Sequence, residues 1–66
     1  MDVTINGAPY DLPEGTTVAE VVRELTAVTS GVAVAVNDEV VARASWGTTL
    51  LAERDRVEVL TAVQGG

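Results

Sequence analysis

The chain has 66 residues, 47% of them hydrophobic, and ten acidic residues against four arginines give it a net charge of −6. It has neither cysteine nor histidine, which excludes a disulfide, a thiolate metal site and an imidazole base. The acidic balance argues against binding to nucleic-acid phosphates or anionic membranes, and so short a chain forms one domain with a thin core and no enzyme-sized pocket.

A β-hairpin is predicted at the start of the chain. Val3 and Ile5 alternate with polar residues, which is typical of a half-buried strand. Asn6-Gly7 then predicts a two-residue turn, because both positions of a type I′ turn need a positive φ. The return strand is predicted over Pro9–Leu12 at an edge of the sheet, since proline cannot donate a ladder hydrogen bond.

One helix is predicted next. Thr17 and Glu20 have the spacing of a capping box, in which a hydroxyl and a carboxylate satisfy the first backbone N–H groups. Apolar residues then recur at i, i+3, i+4 and i+7 and form a single stripe, namely Val18, Val21, Val22 and Leu25. The helix is predicted to stop at Thr29–Gly31.

The second half of the chain predicts three further strands. Valines at 32, 34 and 36 face the core, while Ala33 and Ala35 lie on a flat opposite face. A turn at Asn37–Glu39 leads into a short strand at Val40–Arg43, and Ser45–Arg54 has no clear pattern. The last strand covers Arg56–Ala62, with Val57 and Val59 inward and Leu60 outward.

This order of elements predicts an α+β fold, the ubiquitin-like β-grasp, in which a mixed sheet of four or five strands packs on one helix. A right-handed crossover places the last strand parallel to the first and in the middle of the sheet. We therefore predict a β-grasp domain over residues 1–62 and a flexible C-terminal tail over residues 63–66. We expect a cytoplasmic protein, because the chain shows neither a signal peptide nor a transmembrane stretch.

Several side-chain groups could carry chemistry, but ordinary structural roles are favoured for most of them. The acidic pairs 38/39 and 53/55 are interpreted as solvated turns rather than metal or acid–base sites, because aspartate favours turns. The three arginines at 43, 54 and 56 are interpreted as surface charges, and Trp46 as a lid on the core. Leu60 beside Ala33 and Ala35 is either an isolated exposed side chain or a docking patch for a partner.

The tail Val63-Gln64-Gly65-Gly66 is the unusual feature of the sequence. Glycine packs poorly but lets a chain stay narrow, and four extended residues span at most about 14 Å, enough to enter a partner's active site. The carboxylate of Gly66 becomes electrophilic if an ATP-using partner converts it to an acyl-adenylate. A sulfur nucleophile then gives a thiocarboxylate, and an amine gives an amide. Without cysteine the chain can carry sulfur only at this terminus, and without lysine it cannot build isopeptide chains on itself.

Four segments resemble one known family. They are the opening Val3–Gly7, the helix start Gly15–Val22, the run Ala35–Trp46 and the final Gly65-Gly66. They resemble the ThiS family of thiamine-pathway sulfur carriers, and the third segment is the most specific. The resemblance extends over essentially all 66 residues. Two positions depart from the family pattern: the turn before the last strand has Arg54-Asp55 where relatives often have Gly-Asp, and Ala42 stands where they often have proline.

The resemblance implies a complete sulfur-transfer route. Gly66 would be adenylated by a ThiF-type, E1-like adenylyltransferase that uses ATP and magnesium, and Val63, Gln64 and Gly65 would thread the partner's active site. Sulfur would come from a cysteine desulfurase or another donor, and thiazole synthase, ThiG, would receive it. The chain itself would be a protein co-substrate rather than an enzyme, and would bind no cofactor or metal.

Other functions stay open at this point. A carrier like MoaD, the small subunit of molybdopterin synthase, would use the same chemistry in another pathway. A ubiquitin-like protein modifier would end as an amide on target lysines. A non-covalent β-grasp adaptor would bind its partner without needing the tail.

Overall fold

The computed structural model describes residues 1–27 and 30–61. Within these ranges the elements are β1 Asp2–Ile5, β2 Ala8–Asp11, α1 Val18–Leu25, β3 Val32–Val36, β4 Glu39–Val41, a 3₁₀ helix Arg43–Ser45 and β5 Arg56–Thr61. The five strands form one sheet in the order β2-β1-β5-β3-β4. β5 lies in the centre, parallel to β1 and antiparallel to β3. The structure therefore confirms the predicted β-grasp arrangement, with five strands.

The first hairpin forms as predicted, with a shift of one residue. Asn6 and Gly7 have φ values of 51° and 83°, as a type I′ turn requires. The two-residue turn places Ala8 opposite Ile5, so β2 begins one residue earlier than predicted and ends at Asp11. β2 lies at the edge of the sheet, where the missing N–H of Pro9 does no harm.

Helix α1 begins as predicted but ends early. The Thr17 hydroxyl accepts a hydrogen bond from the Glu20 N–H at 3.2 Å, and the Glu20 carboxylate accepts one from the Thr17 N–H at 2.9 Å. The predicted stop at Thr29–Gly31 is too late: the helix ends at Leu25, because Thr26 turns to an extended φ of −152°. The Thr26 N–H still donates to the Val22 carbonyl and closes the last turn. Thr29 itself lies outside the described residues.

The core lies between the sheet and α1. Among the described residues, ten apolar side chains are buried in it, namely Val3, Ile5, Val18, Val21, Val22, Val34, Trp46, Leu51, Val57 and Val59. The inward valines of β5 are among them, as predicted, whereas Leu25 at the end of the helical stripe stays 40% exposed. Trp46 is 8% exposed, and its indole N–H donates to the Val41 carbonyl at 3.0 Å. The prediction that Trp46 closes the core is confirmed.

The segment Ser45–Arg54, which has no clear sequence pattern, completes the start of α1. The N–H groups of Val18 and Ala19 have no partner inside the helix, because they belong to its first turn. They donate instead to the carbonyls of Thr49 and Trp46, each at 3.0 Å. The segment is therefore structural, and it joins the helix to the chain that precedes β5.

Two turns in the second half of the chain adopt left-handed geometry. Asn37 and Asp38, with φ values of 51° and 71°, connect β3 to β4. The turn predicted at Asn37–Glu39 ends one residue early, because β4 already begins at Glu39. The strand predicted over Val40–Arg43 ends at Val41, because the 3₁₀ helix begins at Arg43. Arg54 has a φ of 68°, so the turn before β5 keeps a conformation that glycine adopts more easily. No helix in the described ranges has the length and apolar character needed to cross a bilayer.

Candidate docking face and C-terminal exit

The predicted reactive tail lies beyond the part of the chain that the structure describes. Val63, Gln64, Gly65 and Gly66 all fall outside it, as does Ala62. The division into residues 1–62 and 63–66, and the roles given to the tail, therefore stay predictions. The structure describes the platform from which the tail departs, up to Thr61 at the end of β5.

An apolar patch lies on the face of the sheet opposite α1. Leu60 and Ala33 stand directly opposite each other on β5 and β3, and Leu60 is 67% exposed. Ala35 lies two residues further along β3, opposite Glu58 on β5 and Val40 on β4. The three residues proposed for docking thus share one face, next to the end of β5. We call this surface, completed by Val40, the outer patch.

Val40 is 81% exposed and belongs to this face, although it was not among the residues predicted for docking. Val40 and Val41 are adjacent on β4, and neighbouring side chains of a strand point to opposite faces. One of the two valines therefore had to leave the core, and this signal was present in the sequence. Val40 extends the apolar surface from the centre of the sheet to its β4 edge, while the two alanines keep the patch flat.

Charged side chains continue the outer face towards the start of β5. Arg56 forms an ion pair with Asp38, with 2.9 Å between the guanidinium nitrogen and the carboxylate oxygen. Both side chains are more than half exposed, so this pair adds little stability. The outer face thus changes along β5 from charged residues at its start to Leu60 near its end.

The acidic residues Asp38, Glu53 and Asp55 lie in turns, as predicted, whereas Glu39 is already the first residue of β4. The Glu53 carboxylate accepts hydrogen bonds from the Asp2 N–H at 3.1 and 3.2 Å. Asp55 accepts from the Ala52 N–H at 2.7 Å and from the Asn37 amide at 2.9 Å. Among the described residues no three acidic side chains come together in a group able to hold a metal ion.

Two asparagines, each directly after a strand next to β5, form side-chain hydrogen bonds with the backbone of β5. Asn6 follows β1, and its side-chain oxygen accepts from the Val59 N–H at 2.8 Å while its amide donates to the Val59 carbonyl at 3.2 Å. Asn37 follows β3, and its side-chain oxygen accepts from the Arg56 N–H at 3.0 Å. Both asparagines have a φ of 51°. The sequence predicts the turns at both asparagines but not their side-chain hydrogen bonds to β5, because these bonds join residues far apart in the chain.

Comparison with known families agrees with this fold. The model of the ThiS family matches residues 3–66. The chain belongs to the ThiS family. The recognition made from the sequence motifs is therefore confirmed, and the match extends through the Gly65-Gly66 end.

Two solved structures from Geobacter metallireducens are similar to this chain. A crystal structure of a thiamine biosynthesis protein (ThiS) is 33% identical, covers the full length of both chains and has a TM-score of 0.82. A solution structure of a thiamine biosynthesis protein is 34% identical, with a TM-score of 0.79, and matches all of this chain and 88% of the other. These likenesses confirm the ThiS β-grasp fold.

One protein with a similar segment is much longer than this chain. A thiazole synthase from Magnetococcus marinus is 35% identical over 66 residues, which is all of this chain but 20% of that protein. The chain thus spans about a fifth of the relative it matches, so the similarity concerns one segment of that thiazole synthase.

The two departures from the family pattern fit the backbone. Arg54 retains the left-handed φ of 68° in the turn where relatives often have glycine. Ala42 has φ −61° and ψ 142°, values that proline adopts without strain. At both positions the backbone therefore has a geometry that the residue often found in relatives can also adopt.

Proposed function

We propose that this chain is a sulfur carrier of thiamine biosynthesis, which carries sulfur as a thiocarboxylate on Gly66. The observation that carries the proposal is the match to the ThiS family through residue 66. The similarity to a thiamine biosynthesis protein (ThiS) over the whole length of both chains supports it.

The chemistry would proceed in two steps at one carbon. A ThiF-type adenylyltransferase would use ATP and magnesium to join the Gly66 carboxylate to AMP, releasing pyrophosphate. A sulfur nucleophile, drawn from a cysteine desulfurase persulfide or another donor, would then form the carbon–sulfur bond as AMP leaves. Hydrosulfide gives the thiocarboxylate directly, whereas a persulfide gives an acyl disulfide, which a second thiol of the partner cleaves to release the thiocarboxylate and form a disulfide. The carrier supplies the reacting carbon, and the partner supplies the nucleotide site and the catalytic groups.

Thiazole synthase is the proposed acceptor of the sulfur. The Magnetococcus thiazole synthase, which contains a segment 35% identical to this chain, supports a functional link between the two kinds of protein. Partners would dock on the outer patch of Ala33, Ala35, Val40 and Leu60. Leu60 is followed by Thr61 at the end of β5, so a partner bound there lies close to where the tail departs.

Intact-mass measurement tests the proposed carrier chemistry. The protein is incubated with ATP, magnesium, a sulfide source and a ThiF-type enzyme, and we expect the mass to rise by the exchange of one oxygen for sulfur on the last residue. A chain without Gly65-Gly66 serves as the control and should fold but stay unmodified. Adenylation of this shortened chain would contradict the proposal.

A second assay identifies the pathway. The thiocarboxylated protein is offered separately to thiazole synthase and to the large subunit of molybdopterin synthase, and we expect sulfur transfer only with the former. Transfer only to the latter would indicate a MoaD-like carrier, and stable conjugates on lysines of other proteins would indicate a modifier.

A further inference from the structure

β1 is too short to hold the whole of β5. The parallel ladder between them pairs only Thr4 with Arg56 and Ile5 with Val57, and the chain then turns away at Asn6. On the opposite side, β3 pairs with β5 as far as Val32 and Thr61. The last residues of β5 therefore depend on a single neighbouring strand unless another group replaces β1.

Asn6 provides this replacement. Its backbone N–H donates to the Val57 carbonyl at 2.9 Å. Its side-chain amide then binds both polar backbone groups of Val59, the N–H at 2.8 Å and the carbonyl at 3.2 Å. An amide presents one acceptor and one donor side by side, as a strand backbone does. Asn6 thus extends the pairing on the β1 side two residues further along β5.

We propose that Asn6 is a positioning residue, which fixes the direction in which the chain leaves β5 and thereby orients the C-terminal segment for reaction. The inference rests on the proposed function. With Asn6 in place, β5 is bonded on both sides as far as Val59, two residues before its end. Without it, the end of β5 is bonded only to β3 and can pivot on that edge.

This role would appear in the rate of reaction more than in binding. Misplacement of a reacting group by about 1 Å can lower a rate by roughly a hundredfold, because catalysis depends on orientation. The outer patch is held by the β3–β5 pairing, in which Ala33 stands opposite Leu60, and Asn6 does not take part in it. Loss of Asn6 should therefore lower kcat of the activating enzyme for this chain with little change in KM.

Asn37 offers a matched control at the other end of β5. It has the same φ of 51°, its side-chain oxygen accepts from the Arg56 N–H at 3.0 Å, and its backbone N–H donates to the Arg56 carbonyl at 2.8 Å. Asn37 extends β3 as Asn6 extends β1, but at the start of the strand. It therefore provides similar bonds without a direct link to the exit.

The experiment compares Asn6→Gly with Asn37→Gly. Glycine removes the side-chain bonds and tolerates the positive φ at both positions. Hydrogen exchange by NMR should show the protection of the Val59 amide falling about tenfold or more in N6G and staying near wild type in N37G. In steady-state thiocarboxylation, N6G should lower kcat about tenfold with KM within about twofold, and N37G should leave kcat within about twofold.

The outcomes separate the proposals. Unchanged Val59 protection in N6G, or an equal loss of kcat in both variants at equal folded fraction, would overturn the role of Asn6. Failure of the wild-type protein to become thiocarboxylated would instead refute the proposed function, while the exchange experiment would still measure the bond between Asn6 and β5. If N6G does not fold, Asn6→Asp replaces it. Aspartate keeps an acceptor for the Val59 N–H but places a second acceptor, in place of the donor, against the Val59 carbonyl. The same loss of kcat is expected.

Discussion

Replacement of Leu60 by alanine tests whether the outer patch docks a partner. The change removes three carbons, worth about 2.4 kcal/mol when fully buried at about 0.8 kcal/mol per carbon. Leu60 is 67% exposed in the free domain, so about 1.6 kcal/mol of this is available to a complex. If a partner covers Leu60, L60A should weaken binding roughly 15-fold, while the third of the side chain that is buried in the free domain limits the loss in the free energy of unfolding to about 0.8 kcal/mol.

Leu50→Ala provides a control of the same chemistry. Leu50 is 64% exposed, close to the value for Leu60, but it lies beside Thr17 at the start of α1 and outside the outer patch. Titration calorimetry or the KM of thiocarboxylation should show the weaker binding in L60A alone, for both a ThiF-type enzyme and thiazole synthase. Equal affinity of L60A and wild type for both partners, or an equal loss in L50A, would refute the assignment of the docking face.

Three further substitutions test the local structure by chemical denaturation. Arg54→Gly should raise the free energy of unfolding by about 0.5–1 kcal/mol, because glycine relieves the left-handed φ of 68°; a loss of stability would contradict this. Ala42→Pro should stabilise by about 0.4–1 kcal/mol, since φ is already −61°, and a loss would show that the backbone there differs. Thr17→Ala should cost about 1 kcal/mol through loss of the helix cap, whereas an unchanged midpoint would show that the capping box is dispensable.

Elements with a local signal could be predicted from the sequence. The Asn6-Gly7 turn requires positive φ at two adjacent positions, and few other residues permit it. The start of α1 depends on Thr17 and Glu20, which are three residues apart. The central position of β5 followed from the right-handed crossover rule rather than from any one residue.

Features that depend on distant parts of the chain could not be predicted. The end of α1 lies at Leu25 although the sequence offers no early stop, because Thr26 adopts an extended backbone. The segment before β5 is shaped by its bonds to the first N–H groups of α1, which periodicity does not reveal. The Asn6 side chain reaches Val59, 53 positions away, so its second role became visible only in the folded chain.

The central place of β5 also affects how a newly made chain matures. β5 is the final strand in the described ranges, and it joins two antiparallel hairpins that do not pair with each other, β1–β2 and β3–β4. An isolated hairpin is marginally stable in water at best, so a nascent or truncated polypeptide that lacks β5 has no assembled sheet. If activating enzymes dock on the sheet as proposed, they would not bind such unfinished molecules, and the completed fold would be a condition for loading.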